Sequence, residues 1–253
     1  MKKSELLFYD AYEEFYEMAG KSAAFRNFCR DAFGEDFSQD GFSDLSQIDL
    51  ILQHASVEER SHILDIGCGN GKMLGYLQRN TGAYIYGFDY SEHAIGMARN
   101  LLREKSDFRI GVIGEIEYAE GKFDLIISMD TMYFAKDMRS FIGQVKRWMK
   151  PDGVLFVGYQ EGDVMPRTQD ADTTVLAEAL RANGMHYEAK EITSQTFELL
   201  QKKRKCALKH QAEFEAEGSR RWFELLMMQT EYAVCTYQKF KEKMARYIYV
   251  AHK

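Results

Sequence analysis

Glycines stand at alternate positions in Ile63-Leu64-Asp65-Ile66-Gly67-Cys68-Gly69-Asn70-Gly71-Lys72, between an apolar strand pattern and the opening of a helix. A residue without Cβ lets the backbone turn sharply and approach a ligand that side chains would push away. The helix start beyond it offers free N–H groups and the positive end of a dipole, which suit a ligand with an anionic or electron-rich end. A dinucleotide site uses G-x-G-x-x-G, whose third glycine lets the helix pack closely beneath a pyrophosphate. Here the spacing is G-x-G-x-G, and Lys72 takes the place of that third glycine. Asp65, ahead of the first glycine, is poorly placed for a pyrophosphate but suits a cationic amino group. The pattern therefore points to a nucleoside that carries an amino acid.

Holding such a turn requires strands and helices in alternation, and hydrophobic periodicity supplies them from about residue 60. Short apolar runs are expected as strands at His62 to Asp65, Tyr84 to Asp89, Phe108 to Ile113, Phe123 to Met129 and Val154 to Gly158. Between them lie amphipathic helices, one carrying Ala94, Ile95, Ala98, Leu101 and Leu102, another Met138, Phe141, Ile142, Val145 and Met149. That alternation is the signature of a parallel sheet covered by helices on both faces. Pro151-Asp152-Gly153 should end the second helix and turn the chain into the fifth strand. A helix from about Thr173 to Asn183, a strand from about His186 to Ile192 and a last strand Arg246 to Ala251 follow. Residues 1–56 read as a helical segment. Residues 194–244 read as two long helices separated by Gly218-Ser219, with Trp222, Leu226, Ala233, Tyr237, Phe240 and Met244 down one face of the second.

With the elements in place, Ile63 to Lys72 resembles motif I of the class I, Rossmann-like S-adenosylmethionine-dependent methyltransferases, small-molecule type. Gly87-Phe88-Asp89-Tyr90-Ser91 resembles motif II, where the family holds both ribose hydroxyls on a carboxylate; a carboxylate can accept from two neighbouring donors. The alternative role for Asp89 is an N-cap for the helix that starts near Ser91. Gly114-Glu115-Ile116 resembles the loop that meets the adenine amino group through an acidic side chain and the ring through a backbone N–H, though Asp is commoner there than Glu. Phe123 to Asp130 resembles the fourth strand and its exit toward the transferable methyl, and Lys150-Pro151-Asp152-Gly153 the turn before strand five. The likeness covers roughly residues 60 to 160. It implies a doubly wound, mostly parallel seven-stranded sheet with the last strand antiparallel, in one methyltransferase domain. Residues 60–192 and 246–253 would form the core and residues 194–244 a helical lid. It implies S-adenosylmethionine as cofactor, with S-adenosylhomocysteine as product. The cofactor residues it implies are Asp65, Gly67, Cys68, Gly69, Gly71, Asp89, Tyr90, Glu115, Ile116 and Asp130, together with Gln47, which resembles the place where related enzymes hold the cofactor's methionine end.

Methyl transfer from a sulfonium is a direct displacement that needs alignment and exclusion of water, and a base only when the nucleophile arrives protonated. No catalytic residue is assigned on the sequence alone. Acceptor contacts are expected from aromatic residues outside the nucleotide core, Tyr9, Tyr12, Tyr16, Tyr133 and Tyr159, whose faces suit a cationic amine or a flat ring. The acceptor is expected to be a small molecule offering N, O or a carboxylate. An RNA-modifying enzyme on the same core, or a cofactor-binding protein without transferase activity, are the alternatives. The basic run Lys202-Lys203-Arg204-Lys205 could suggest RNA, but Glu213, Glu215 and Glu217 follow it on a helical pattern, which favours a solvated face. A net charge of −6 argues against a protein built to grip phosphate backbones. The four cysteines, Cys29, Cys68, Cys206 and Cys235, form no C-x-x-C pair, and the six histidines show no metal-ligand spacing. No apolar run reaches the roughly 20 residues that span a bilayer, and the start Met1-Lys2-Lys3-Ser4-Glu5 does not lead into a signal sequence. A cytoplasmic protein is expected.

Overall fold

The computed structural model describes residues 6–39 and 41–253; the start Met1 to Glu5 lies outside the described residues. Three helices come first, α1 (Tyr9–Lys21), α2 (Ala23–Phe33) and α3 (Leu45–His54). Ser22 separates the first two and caps α2 by accepting from the Phe25 N–H, an arrangement worth about 1 kcal/mol. Asp44 caps α3 in the same way through the Gln47 N–H.

The core then runs β1 (His62–Ile66), α4 (Lys72–Thr81), β2 (Tyr84–Asp89), α5 (Glu92–Leu101), β3 (Ser106–Ile110), β4 (Phe123–Met129), α6 (Met138–Trp148) and β5 (Met149–Glu161). It continues with α7 (Val175–Ala182), β6 (His186–Glu191), four further helices and β7 (Ala245–His252). Those helices are α8 (Thr193–Lys209), α9 (Gln211–Ala216), α10 (Arg220–Gln229) and α11 (Tyr237–Lys243). The seven strands form one sheet in the order β3-β2-β1-β4-β5-β7-β6, with β7 antiparallel to both of its neighbours. The doubly wound, mostly parallel sheet implied by the resemblance is thus present.

The strand order reverses beside β1, which pairs with β2 on one side and β4 on the other. Connections leave in opposite directions from that point and open a crevice at the carboxyl ends of the strands. Residues alternate between two apolar layers. Ile63, Ile85, Leu125, Ile127, Phe156 and Ile248 face the layer shared with α2–α5 and with Leu199, Phe214 and Leu226 of the inserted helices. Leu64, Ile66, Phe88, Ile126, Leu155 and Tyr249 face α6 and α7.

Several boundaries differ from the sequence expectation. β3 spans Ser106–Ile110 rather than Phe108 to Ile113, because its partner β2 ends at Asp89, opposite Ile110, and the Asp89 carbonyl accepts from the Gly111 N–H. β5 begins at Met149, inside the expected helix, and runs through Pro151 to Glu161, since β7 pairs with it as far as Glu161. The pair of long helices is four shorter ones. Gly218, with φ 72°, makes the expected break before α10, and further breaks fall at His210 and between Thr230 and Thr236.

A cavity between the glycine turn and the N-terminal helices

A cavity of about 890 Å³ opens at the carboxyl ends of β1, β2 and β4. Its floor is the turn after β1. The Gly67 and Cys68 N–H groups donate to the Phe88 carbonyl at 2.9 and 3.0 Å and stitch the turn to the end of β2. Gly67, Gly69 and Gly71 have φ of 73°, 51° and 74°, a region costly for residues with a Cβ. A Cβ on Gly67 would sit 2.6 Å from the Thr131 side chain, and one on Gly69 would collide with the Tyr16 hydroxyl. Gly71 is different. It lies outside the cavity lining, caps α4, and is small because Ala98 would stand 2.9 Å from its Cβ.

Two carboxylates flank this floor. Asp65 is buried at the end of β1, directly opposite Gly87 in the sheet, and Asp89 ends β2. Asp89 accepts from the Gly69 N–H at 3.0 Å and the Ser91 N–H at 2.9 Å, while Ser91 itself caps α5 through the Ala94 N–H. The expected alternative role of Asp89 as the helix cap therefore falls to Ser91. Desolvation, against the two backbone donors, pushes the Asp89 carboxyl up to about 6. Burial and then the charge of Asp89 hold Asp65 well above the usual carboxylate range. The Cys68 thiol, also on the lining, is raised by burial, Asp89 and Asp65, so it stays protonated.

Tyr90, Glu115 and Asp130 all line the cavity. Ile116 does not: its side chain packs on Gly111 and its carbonyl accepts from Gln144, and Ile113 and Gly114 take the wall instead. Tyr12, Tyr16 and Tyr133 line it as well. Tyr9 stands behind them with its ring 5.7 Å from Tyr90, whose hydroxyl donates to the Leu7 carbonyl at 3.1 Å. Tyr159 is fully buried beneath Tyr133, with ring centroids 6.2 Å apart, so the strand-five candidate backs the wall rather than forming it. Gln47 is likewise outside the lining; its amide oxygen accepts from Arg246 at 2.6 Å. Desolvation, then the nearby charge of Asp130, keeps the Tyr133 phenol protonated.

Other residues shape the wall through partners distant in the chain. Thr131 donates to the Ile66 carbonyl at 2.5 Å and shares a hydrogen bond of 2.7 Å with Ser128, which wedges it beneath Gly67. Asn70 donates to the carbonyls of Phe37 and Ser38 at 3.0 and 2.8 Å. Lys72 reaches Asp36 at 2.8 Å and the Ser38 hydroxyl at 2.7 Å. The extended segment after α2 is thereby strapped to the glycine turn, and its Gln39, Gly41, Phe42 and Ser43 enter the wall. From the inserted helices only Gln229 and Tyr232 reach the lining, joined by Met244 just ahead of β7. The basic run is also not a uniform solvated face, because Lys203 is buried with its ammonium donating to the Gly41 carbonyl at 3.2 Å. Arg204 bonds the Met227 carbonyl and Glu231.

A methyltransferase-domain family model matches residues 57–233. Among curated proteins, the sterol 24-C-methyltransferase of Pneumocystis carinii is 30% identical over 158 residues, covering 60% of this chain and 40% of that protein. The phosphoethanolamine N-methyltransferase of Plasmodium falciparum is 30% identical over 129 residues, covering 49% and 48%. The chain thus aligns with less than half the length of each. Among solved structures, Haemonchus contortus phosphoethanolamine N-methyltransferase 2 in complex with S-adenosyl-L-methionine superposes with a TM-score of 0.75 at 16% identity, covering 94% of this chain and 59% of that one. The cyclopropane synthase MmaA2 of Mycobacterium tuberculosis gives 0.71 at 16% identity, covering 96% and 98%. At that identity the likeness speaks to the fold.

Proposed function

Because this chain belongs to the methyltransferase-domain family, we propose that it transfers a methyl group from S-adenosylmethionine to a nitrogen, oxygen or carboxylate of a small molecule by direct displacement. One observation carries the cofactor assignment: two carboxyl groups, Asp65 and Asp89, line a cavity on either side of a turn whose glycines leave no Cβ in the way. Ionising both away from water is costly, and a ligand with a cationic amine and hydroxyl donors relieves that cost at both ends.

When bound, the cofactor supplies a methyl group made electrophilic by a positively charged sulfur. Asp65 would face its ammonium group, Asp89 its ribose hydroxyls and Glu115 its base. The Cβ-free turn lets the main chain come close, while Thr131 fixes the turn from below. Tyr12, Tyr16 and Tyr133 form an aromatic wall suited to a cationic or flat acceptor and exclude water from it. The Tyr133 phenol, held protonated, can donate a hydrogen bond to an acceptor but is no base near neutrality. The work of this chain is then alignment and desolvation.

Among the described residues no helix is long and apolar enough to cross a membrane. We propose a cytoplasmic location. Calorimetric titration with S-adenosylmethionine, S-adenosylhomocysteine and NAD tests the cofactor. Binding of the two sulfur nucleosides without NAD is the expected result, and binding of NAD alone would refute it. A product screen across small amines, phenols and acids then identifies the acceptor.

A further inference from the structure

Arg246, on β7 and more than a hundred residues from the glycine turn, is fully buried and lies outside the cavity lining. Its guanidinium nevertheless joins three pieces of the wall. Nε and Nη2 donate to the two Asp130 oxygens at 3.0 and 2.7 Å. Nη2 also donates to the Ser43 hydroxyl at 2.7 Å, and Nη1 to the Phe42 carbonyl and to Gln47 Oε1. Asp130 is one of the few described non-glycine residues at positive φ, 58°, a backbone state that persists only where its surroundings hold it. Gly158 makes room for this hub, because a Cβ there would stand 3.2 Å from Arg246 Nη2.

The next residue after Asp130 is Thr131, whose hydroxyl holds the Ile66 carbonyl and whose side chain fills the space beneath Gly67. A chain of contacts therefore runs from β7 through Asp130 and Thr131 to the floor of the cavity. A second arm runs through Phe42 and Ser43 to the strap that Asn70 and Lys72 tie to the same floor. We propose that Arg246 is a positioning residue which, through its fork on Asp130 and its grip on Phe42 and Ser43, sets the cavity wall in the shape that binds the nucleoside. The fork geometry matters, since a lysine carries the charge but reaches one partner as a point cation. Gln47 acts in the same unit, as it touches the hub and not the cavity.

This inference rests on the proposed cofactor site. Its test compares Arg246→Lys, Gln47→Leu and a control, Val250→Ala, which trims a buried side chain on the same strand and away from the cavity. Each protein is melted and titrated with S-adenosylhomocysteine at one temperature. Arg246→Lys should bind about ten-fold more weakly. Gln47→Leu should bind a few-fold more weakly, and Val250→Ala should bind as the parent does even where it melts lower. The proposal is overturned if Arg246→Lys keeps the parent affinity, or if Val250→Ala loses as much affinity as Arg246→Lys. Should Arg246→Lys fail to fold, parent-like binding by Gln47→Leu overturns it. Loss of binding by the parent itself would instead strike the cofactor assignment.

Discussion

The two sides of the cavity are made in different ways. On the floor, backbone does most of the work: Gly67 and Gly69 at positive φ, the Gly69 N–H on Asp89, and two N–H groups on the Phe88 carbonyl, all within one β-α-β unit. On the opposite side, side chains from distant stretches converge: Tyr12 and Tyr16 from α1, Phe42 and Ser43 from the strap, Tyr133 after β4, Tyr232 after α10. The floor is local and stiff, and its composition is constrained by where a Cβ fits. The far wall is assembled by packing of side chains from separate stretches, and its strap is tied to the turn by Asn70 and Lys72.

Substitutions at the floor should cost the most nucleoside affinity, and those at seams away from the Arg246 hub should mainly lower stability. The largest effect is expected for Gly69→Val, which places a branched residue at φ 51° and drives a Cβ into the Tyr16 hydroxyl. Its affinity for S-adenosylhomocysteine should fall by more than about a hundred-fold, given about 1–2 kcal/mol of backbone strain plus the displaced wall; titration near the parent value would break the contrast. Asp89→Ala comes next, with a loss of about ten- to a hundred-fold for a charged hydrogen-bond partner worth about 1.5–3 kcal/mol.

The same residue sets a pH dependence. Between the ordinary aspartate value of about 4 and about 6, the folded chain holds a proton on Asp89 that the unfolded chain has released. Its contribution to stability is therefore present below about pH 4 and lost as pH rises through about 6. The ionised form is the better acceptor for ribose hydroxyls, so affinity should rise across that window and binding should release protons. Calorimetry in buffers of different ionisation heat measures the release, and a flat profile between pH 5 and 7 would count against the assignment.

The smallest expected effect lies on the far side. Glu217, just after α9, accepts from the Ser22 hydroxyl and from the Ala23 and Ala24 N–H groups, and so closes the start of α2. Glu217→Ala should lower the melting temperature by about 2–4 °C, the shift expected for about 1 kcal/mol in a chain of this size. Nucleoside affinity should be unchanged. A drop in affinity larger than in stability would mean that the inserted helices shape the floor after all, and the two sides would not be separable. The inserted helices cannot be treated as a detachable cover, since Leu199, Phe214 and Leu226 lie in the same apolar layer as the sheet. Deleting residues 194–244 should leave the chain insoluble, as seen by expression and sedimentation.

What could be read in the amino-acid order was whatever depends on neighbours along the chain. Strand and helix periodicities, the turn spacing, Asp65 at the end of one strand and Asp89 at the end of the next were all visible, because each is a local consequence of Cβ sterics or of a repeat of 2 or 3.6 residues. Tyr12, Tyr16 and Tyr133 are legible as aromatics outside the nucleotide core, but the same reasoning names Tyr9 and Tyr159, which packing sends behind the wall. Gln47 and Ile116 were close in sequence to the site and turned elsewhere. Thr131, Asn70, Lys72 and Arg246 owe their roles to partners 32 to 204 residues away in the chain. No periodicity encodes such pairings; only the closing of β7 against β5, and of the strap against the turn, brings these polar groups to hydrogen-bonding distance away from water.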